Sequence, residues 1–281
     1  MFSFATVPVK FVGLFVLYLW CTAWSIYEMT RPQSWRQRVS NGLHLVMAVV
    51  MLLMVAGPTW MTLIKIIPIW VLAGFFAASV VWFAWLAVRA FVAAQRSSGW
   101  HFVGHATMFA AMAWHVAAMA VMRPLKMAAQ SGQADAGGMN PMMAAQQPGG
   151  VLWWFAVVGV PLMAYLLVAS VHALRQALAP ATPVATASDC CGGTCTCGPD
   201  CTCDLPRPAL GPVANDSDGR SLALATAARV ETAPSCHEVR PVGSPKFRMA
   251  ALSDFAMNFG MFWMSTGIMV PLLPFFALLS F

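Results

Sequence analysis

Residues 43–64 read Leu-His-Leu-Val-Met-Ala-Val-Val-Met-Leu-Leu-Met-Val-Ala-Gly-Pro-Thr-Trp-Met-Thr-Leu-Ile. The run is apolar and long enough to cross a ~30 Å hydrocarbon layer as a helix. Inside it His44, Met47, Met51 and Met54 are spaced 3-4-3, which puts all four side chains on one face of an α-helix. The spacing returns in His105, Met108, Met112 and His115, and again in Asp254, Met257, Met261 and Met264. Each stripe opens on an imidazole or a carboxylate and continues mainly in thioethers.

The rest of the chain extends this reading. It is 59% hydrophobic and 9% charged, with a mean hydropathy of +0.69, far from a soluble domain. Six apolar runs reach membrane-spanning length: Phe11–Tyr27, Leu43–Ile64, Ile66–Val92, His101–Met122, Val151–Ala179 and Phe255–Phe281. The first has no small-residue cleavage site after it, and bulky Trp20 precedes Cys21, so it reads as a retained span. The expectation is an all-α membrane protein with six transmembrane helices, because helices satisfy their own backbone groups in lipid. The spans form three consecutive pairs, each ending in a stripe helix, a candidate internal repeat. Residues 1–179 hold spans one to five, 180–248 a cytoplasmic loop, and 249–281 span six.

Basic residues set the orientation. Arg31, Arg36, Arg38, Arg89, Arg96, Arg175, Arg240, Lys246 and Arg248 flank the connections after spans one, three and five, against Lys10, Lys65, Arg123 and Lys126 on the other side. The positive-inside rule then puts both termini outside the plasma membrane and those three connections in the cytoplasm. This bias accounts for the net charge of +6. No basic run with interleaved aromatics stands apart from the membrane flanks, which argues against a nucleic-acid partner.

Thioethers are poor ligands for zinc, magnesium or calcium but suit Cu(I). Methionine also fills irregular cores, so packing is the competing explanation. Against it, span three has no Met although the chain has 20. Span four carries the longest stripe: His101, His105, Met108, Met112, His115, Met119 and Met122 follow a 4-3-4-3-4-3 rhythm, covering ~30 Å at 1.5 Å per residue. Ionisable groups inside a membrane usually face a bundle interior or a pathway. His172 stands alone near the cytoplasmic end of span five and reads as interfacial.

The loop from Pro180 to Arg248 is rich in Ala, Pro, Gly, Ser and Thr and lacks the apolar residues for a core. Within it Cys190, Cys191, Cys195, Cys197, Cys201 and Cys203 fall in fourteen positions. Cytosolic thiols stay reduced, so this spacing points to a metal cluster and not to a disulfide framework. Zinc would also bind there, and Cys236-His237 is a weaker pair farther along. Across the membrane, Met127, Met139, Met142 and Met143 lie in the connection between spans four and five. Thioethers outside and thiolates inside would make an inward affinity gradient for Cu(I), with a cytoplasmic copper chaperone as a further partner.

These motifs resemble the Ctr copper transporters, trimers whose second helix carries Met-x3-Met around a central pore. Met47/Met51, Met108/Met112 and Met257/Met261 would supply three such pairs from one chain, although six spans replace three and the last lacks Gly-x3-Gly. The Cys segment resembles metallothioneins. The helices outside it resemble a family of actinobacterial membrane proteins of unknown function with repeated His-x2-Met-x3-Met-x2-Met helices. Asp254 in place of His, and His115 in place of the last Met, depart from that pattern. The resulting expectation is a Cu(I)-binding membrane protein that moves copper, with His44, His101, His105 and Asp254 near the inner exit and the Cys cluster as acceptor. There is no Gly-x4-Gly-Lys-Ser/Thr loop for an ATPase, and no enzymatic activity is expected. A membrane copper sensor or store, and a haem-bearing electron carrier with histidine axial ligands, are the alternatives.

Overall fold

The computed structural model describes residues 8–130, 140–180 and 244–279. The six loop cysteines, Cys236-His237 and Met139 lie outside the described residues. What is described up to Ala179 and from Ser244 belongs to one compact unit. Its helices are α1 (Pro8–Met29), α2 (Trp35–Val55), α3 (Gly57–Ile66), α4 (Ile69–Val92), α5 (Arg96–Gln130), α6 (Pro141–Gln146), α7 (Val151–Leu178) and α8 (Pro245–Met269), followed by a 3-10 segment, Pro274–Leu279. There is no strand among the described residues.

Five stretches are helical, long and apolar enough to cross a membrane: α1, α2, α4, α5 through Ala129, and Pro141–Leu178, which joins α6 to α7. The sixth expected span differs from the sequence reading. Its helix, α8, starts at Pro245 and stops at Met269, so it takes in polar residues and leaves the last apolar residues outside. Pro271 and Pro274 have no N–H to continue the ladder, and the chain turns there through Leu272 N–H and Leu273 N–H to the Met269 carbonyl, at 3.1 and 2.9 Å. The run Leu43–Ile64 is likewise two helices. Ala56 is extended (φ −94°, ψ 124°), because Pro58 cannot donate to the carbonyl four residues back. The Thr59 hydroxyl donates instead to the Leu53 and Ala56 carbonyls at 2.7 and 2.9 Å.

Helix starts follow local chemistry. At α2, Ser34 and Gln37 form a capping box: the Gln37 N–H donates to Ser34 Oγ at 3.4 Å and the Ser34 N–H to Gln37 Oε1 at 3.2 Å, satisfying two donors the helix leaves open. At α8, Ser244 Oγ accepts from the Phe247 N–H at 3.2 Å and Pro245 occupies the first turn, where its missing N–H costs nothing.

Helix α1 packs on both α2 and α8, α4 on α5, and α7 on α8 and α5. Two contacts fix α1 antiparallel to α8: Lys10 Nζ donates to Thr266 Oγ1 at 2.9 Å and the Cys21 thiol to the Ser253 carbonyl at 3.5 Å. Close approach of these helices needs Gly260, since a Cβ there would sit 2.6 Å from the Tyr18 ring.

The turn from α4 to α5 is a Schellman motif. Gln95 N–H reaches the Ala90 carbonyl at 2.9 Å and Ala94 N–H the Phe91 carbonyl at 3.0 Å, with Ala94 in the left-handed region at φ 57°. Glycine is the usual residue there, because a Cβ costs roughly 1–2 kcal/mol in that conformation. Ala94→Gly should therefore stabilise the fold by ~0.5 kcal/mol, after its greater loss of chain entropy, and raise the thermal unfolding midpoint. A lowered midpoint would contradict this account of the turn.

Candidate functional site

The three stripe helices meet in one interior. His44 of α2 lies against His105 of α5, with His44 Nε2 2.9 Å from His105 Nδ1, and His105 Nε2 is 3.0 Å from His101 Nε2. The far nitrogen of His44, Nδ1, is 2.7 Å from the Ser40 carbonyl. A carbonyl only accepts, so His44 carries its proton on Nδ1 and accepts on Nε2. With all three rings neutral, His105 donates from Nδ1 and accepts on Nε2, and His101 donates from Nε2. One backbone carbonyl thus sets the tautomers of three rings. Phe83 and Phe109 wall the chain, their ring centres 5.5 and 5.3 Å from that of His44.

His44 also lines a small cavity of about 30 Å³ with Glu28, Asn41, Ser253, Asp254 and Met257. Glu28 and Asp254 are the acidic side chains of the described chain, and both line this cavity. Asn41 Nδ2 donates to Gln33 Oε1 at 3.1 Å, and Gln33 in turn donates to the Glu28 carbonyl, tying the end of α1 to α2.

Hydrogen bonds also set the register of the stripes. The separation of 61 residues that joins His44 to His105 also relates Met47 to Met108, Met51 to Met112 and Met54 to His115. Farther along, His115 Nδ1 is 2.8 Å from Ser265 Oγ of α8, a separation of 150, within one residue of the 149 that relates Met112 to Met261. Antiparallel contacts with α1 put α2 and α8 in the same direction. The stripes therefore stack in tiers roughly 5 Å apart: His44, His105 and Asp254; then Met47, Met108 and Met257; then Met51, Met112 and Met261; then Met54, His115 and Met264. All eight of these methionines are buried in one hydrophobic cluster, and in the third tier Met51 and Met112 are 0% exposed and Met261 1%.

Beyond the fourth tier sits Lys10, 1% exposed and bonded to Thr266 next to the His115 partner Ser265. Met119 and Met122 are half-buried, His101, Met127 and Met143 are exposed, and Met142 and Asp254 are intermediate. His172 is exposed and pairs with Gln176 at 2.8 Å, apart from the stripes. Among the described residues no group of three or more His, Cys, Asp or Glu is placed to hold a metal ion. His44 and His105 each have both ring nitrogens in hydrogen bonds, to Ser40, to one another and to His101, and His115 Nδ1 is held by Ser265.

The sequence reading did not single out Glu28, Ser40, Asn41, Ser265 or Thr266, and it used Lys10 only for topology. Glu28 and Lys10 had a signal, as charges at the ends of an apolar span. Ser40, Asn41, Ser265 and Thr266 are ordinary helix residues in sequence, and only their neighbours give them a role.

Together the fold and the long apolar helices define a multi-pass helical membrane protein. The chain belongs to the family described as domain of unknown function DUF5134, whose model matches residues 36–268. All three stripes fall inside the match, while α1 lies before it. No curated protein and no solved structure matches the chain. The likeness to Ctr transporters accordingly rests on the motifs and topology read from the sequence.

Proposed function

We propose that this is a Cu(I)-binding membrane protein in which Met51, Met112 and Met261 hold the ion, with copper passing along the methionine tiers between the two sides of the membrane. One observation carries the reading: Met51, Met112 and Met261, from three different helices, are all buried in one hydrophobic cluster, and the hydrogen-bond register assigns them to one tier. Three neutral sulfur donors suit a soft monovalent ion and offer little to magnesium, calcium or zinc. In this reading α8 is the sixth span, both termini face outward, and the Cys loop is the cytoplasmic acceptor that passes copper to a chaperone.

A second reading, a membrane copper store or sensor, has its own support. The Lys10–Thr266 contact lies at the end of the tiers that this reading places outward, and the histidine chain at the end it places inward. An ion held between them would be occluded until one end opens. Sealed vesicles separate the two readings, since a transporter accumulates copper and a store does not.

The test of binding itself is Cu(I) competition against a colorimetric chelator, using full-length protein with all six loop cysteines replaced by Ser. One Cu(I) should remain bound within the bundle under reducing conditions. Absence of bound Cu(I) would sink both readings. The loop should act separately: a peptide covering Ser188–Leu205 should bind several Cu(I), because its ligands are local in sequence and metal can fold such a segment. The six-Ser peptide should bind none, and equal binding by both would refute the thiolate cluster.

A further inference from the structure

At the end of the bundle opposite the carboxylates lies a larger cavity, about 320 Å³, between α3, the start of α4 and the end of α5. Trp60, Ile64, Ile69, Met119 and Met122 form its apolar wall, and Arg123 and Lys126 stand among its lining. Trp60 and Ile64 are buried, whereas both cations are exposed. Its size falls in the range of small-molecule sites, which are mostly apolar with a few polar groups that fix orientation.

Charge is what identifies the occupant. Glu28 and Asp254, the acidic side chains of the described chain, both line the cavity at the other end. Lys65 adds a third positive charge one residue from Ile64. Among the described residues neither Arg123 nor Lys126 makes an ion pair or a side-chain hydrogen bond. Two cations with no acidic partner among the described residues, beside an apolar recess in a bundle with membrane-spanning helices, match an amphiphile with an anionic head and a hydrocarbon tail. Metal ions fit less well: the lining has thioethers but no carboxylate, imidazole or thiolate, and both charged groups would repel a cation.

We propose that this cavity binds an anionic phospholipid, with the phosphate between Arg123 and Lys126 and an acyl chain along Trp60, Ile64, Ile69 and Met122. The assignment does not rest on Cu(I) binding at the third tier, although Met119, Met122 and Met127 of the lining also belong to the methionine pattern read from the sequence.

The test uses full-length protein in detergent, exposed to an equimolar mixture of phosphatidylglycerol and phosphatidylcholine and then passed through size exclusion. Retained lipid is counted by mass spectrometry. Phosphatidylglycerol should be retained in ~30-fold preference, from about 1 kcal/mol per cation and 1.4 kcal/mol per factor of ten. Arg123→Gln with Lys126→Gln should bring it to the phosphatidylcholine level. Both residues are exposed, so the double variant should fold, and an unchanged elution volume checks that. Inorganic phosphate at millimolar concentration should not displace the lipid. Met61→Leu with Met127→Leu, two other residues of the lining, should leave retention unchanged. Equal retention of the two lipids by the unmodified protein, or full retention by the Gln variant, would overturn the proposal. Displacement by phosphate alone would make this a phosphate site. Silver(I) binding that depends on Met61 and Met127 and expels the lipid would make it a metal site.

Discussion

Protein with leucine at positions 51, 112 and 261, and with the six loop cysteines replaced by Ser, should fold and fail to hold Cu(I). Leucine keeps the volume and apolar character of methionine, and such swaps cost less than ~1.5 kcal/mol each in a core. The tier is fully buried and belongs to one continuous cluster, so the three changes are near neighbours whose costs need not add. Helix content and elution volume should therefore stay as in the parent. Affinity should fall by at least ~100-fold, since even a residue one shell away from a metal shifts affinity 10- to 100-fold and here all three donors leave together. Leu72→Met on α4, which adds a thioether to a buried position of a methionine-free helix, should neither create nor strengthen binding. If the triple variant, which also lacks the loop cysteines, holds Cu(I) as its parent does, the third tier is packing and the bundle binds the ion through other side chains.

The methionine tiers were legible in the sequence because helical geometry is periodic. A 3-4-3 spacing specifies one face, and the buried Met47, Met51, Met54, Met108, Met112, Met257, Met261 and Met264 lie on such faces. Composition likewise gave the long apolar helices. Helix limits were harder to read. Hydropathy runs through Ala56, Gly57 and Pro58 without a break, yet the missing proline N–H divides α2 from α3 there. In α8 the polar Ser253, Asp254 and Asn258 sit inside the helix and the apolar tail outside it, because the Ser244 cap opens it and Pro271 and Pro274 stop it, and hydropathy registers neither. Least legible were the partners. Lys10 and Thr266 are 256 positions apart, and nothing local marks Ser40 as the carbonyl that orients three histidines. The stripes suggested that His44 and His105 face a pathway beside the thioethers. The structure shows rings that spend their nitrogens on each other, a choice that depends on how two helices dock and that spacing along one helix does not encode.

That difference gives the second large effect. His105 is buried, and both of its nitrogens are engaged, one by His44 and one by His101. His105→Phe keeps an aromatic ring beside Phe83, whose ring centre lies 5.3 Å away, but removes both hydrogen-bonding groups. His101 is exposed and can turn to water. His44 is buried, and its Nε2 would lose the donor supplied by His105, a cost of ~1–3 kcal/mol for an unsatisfied polar atom. The thermal midpoint in detergent, followed by tryptophan fluorescence, should drop by several degrees. His105→Gln, whose amide can both donate and accept, should recover part of the loss. Full stability in His105→Phe would mean that the chain contributes nothing to the fold. The same variant also separates the two candidate ligand sets. Met112 lies seven residues beyond His105 on α5, ~10 Å along the axis, so Cu(I) binding at the third tier should survive the change. Loss of copper in His105→Phe, together with its retention in the triple leucine variant, would transfer the metal from the thioethers to the imidazoles.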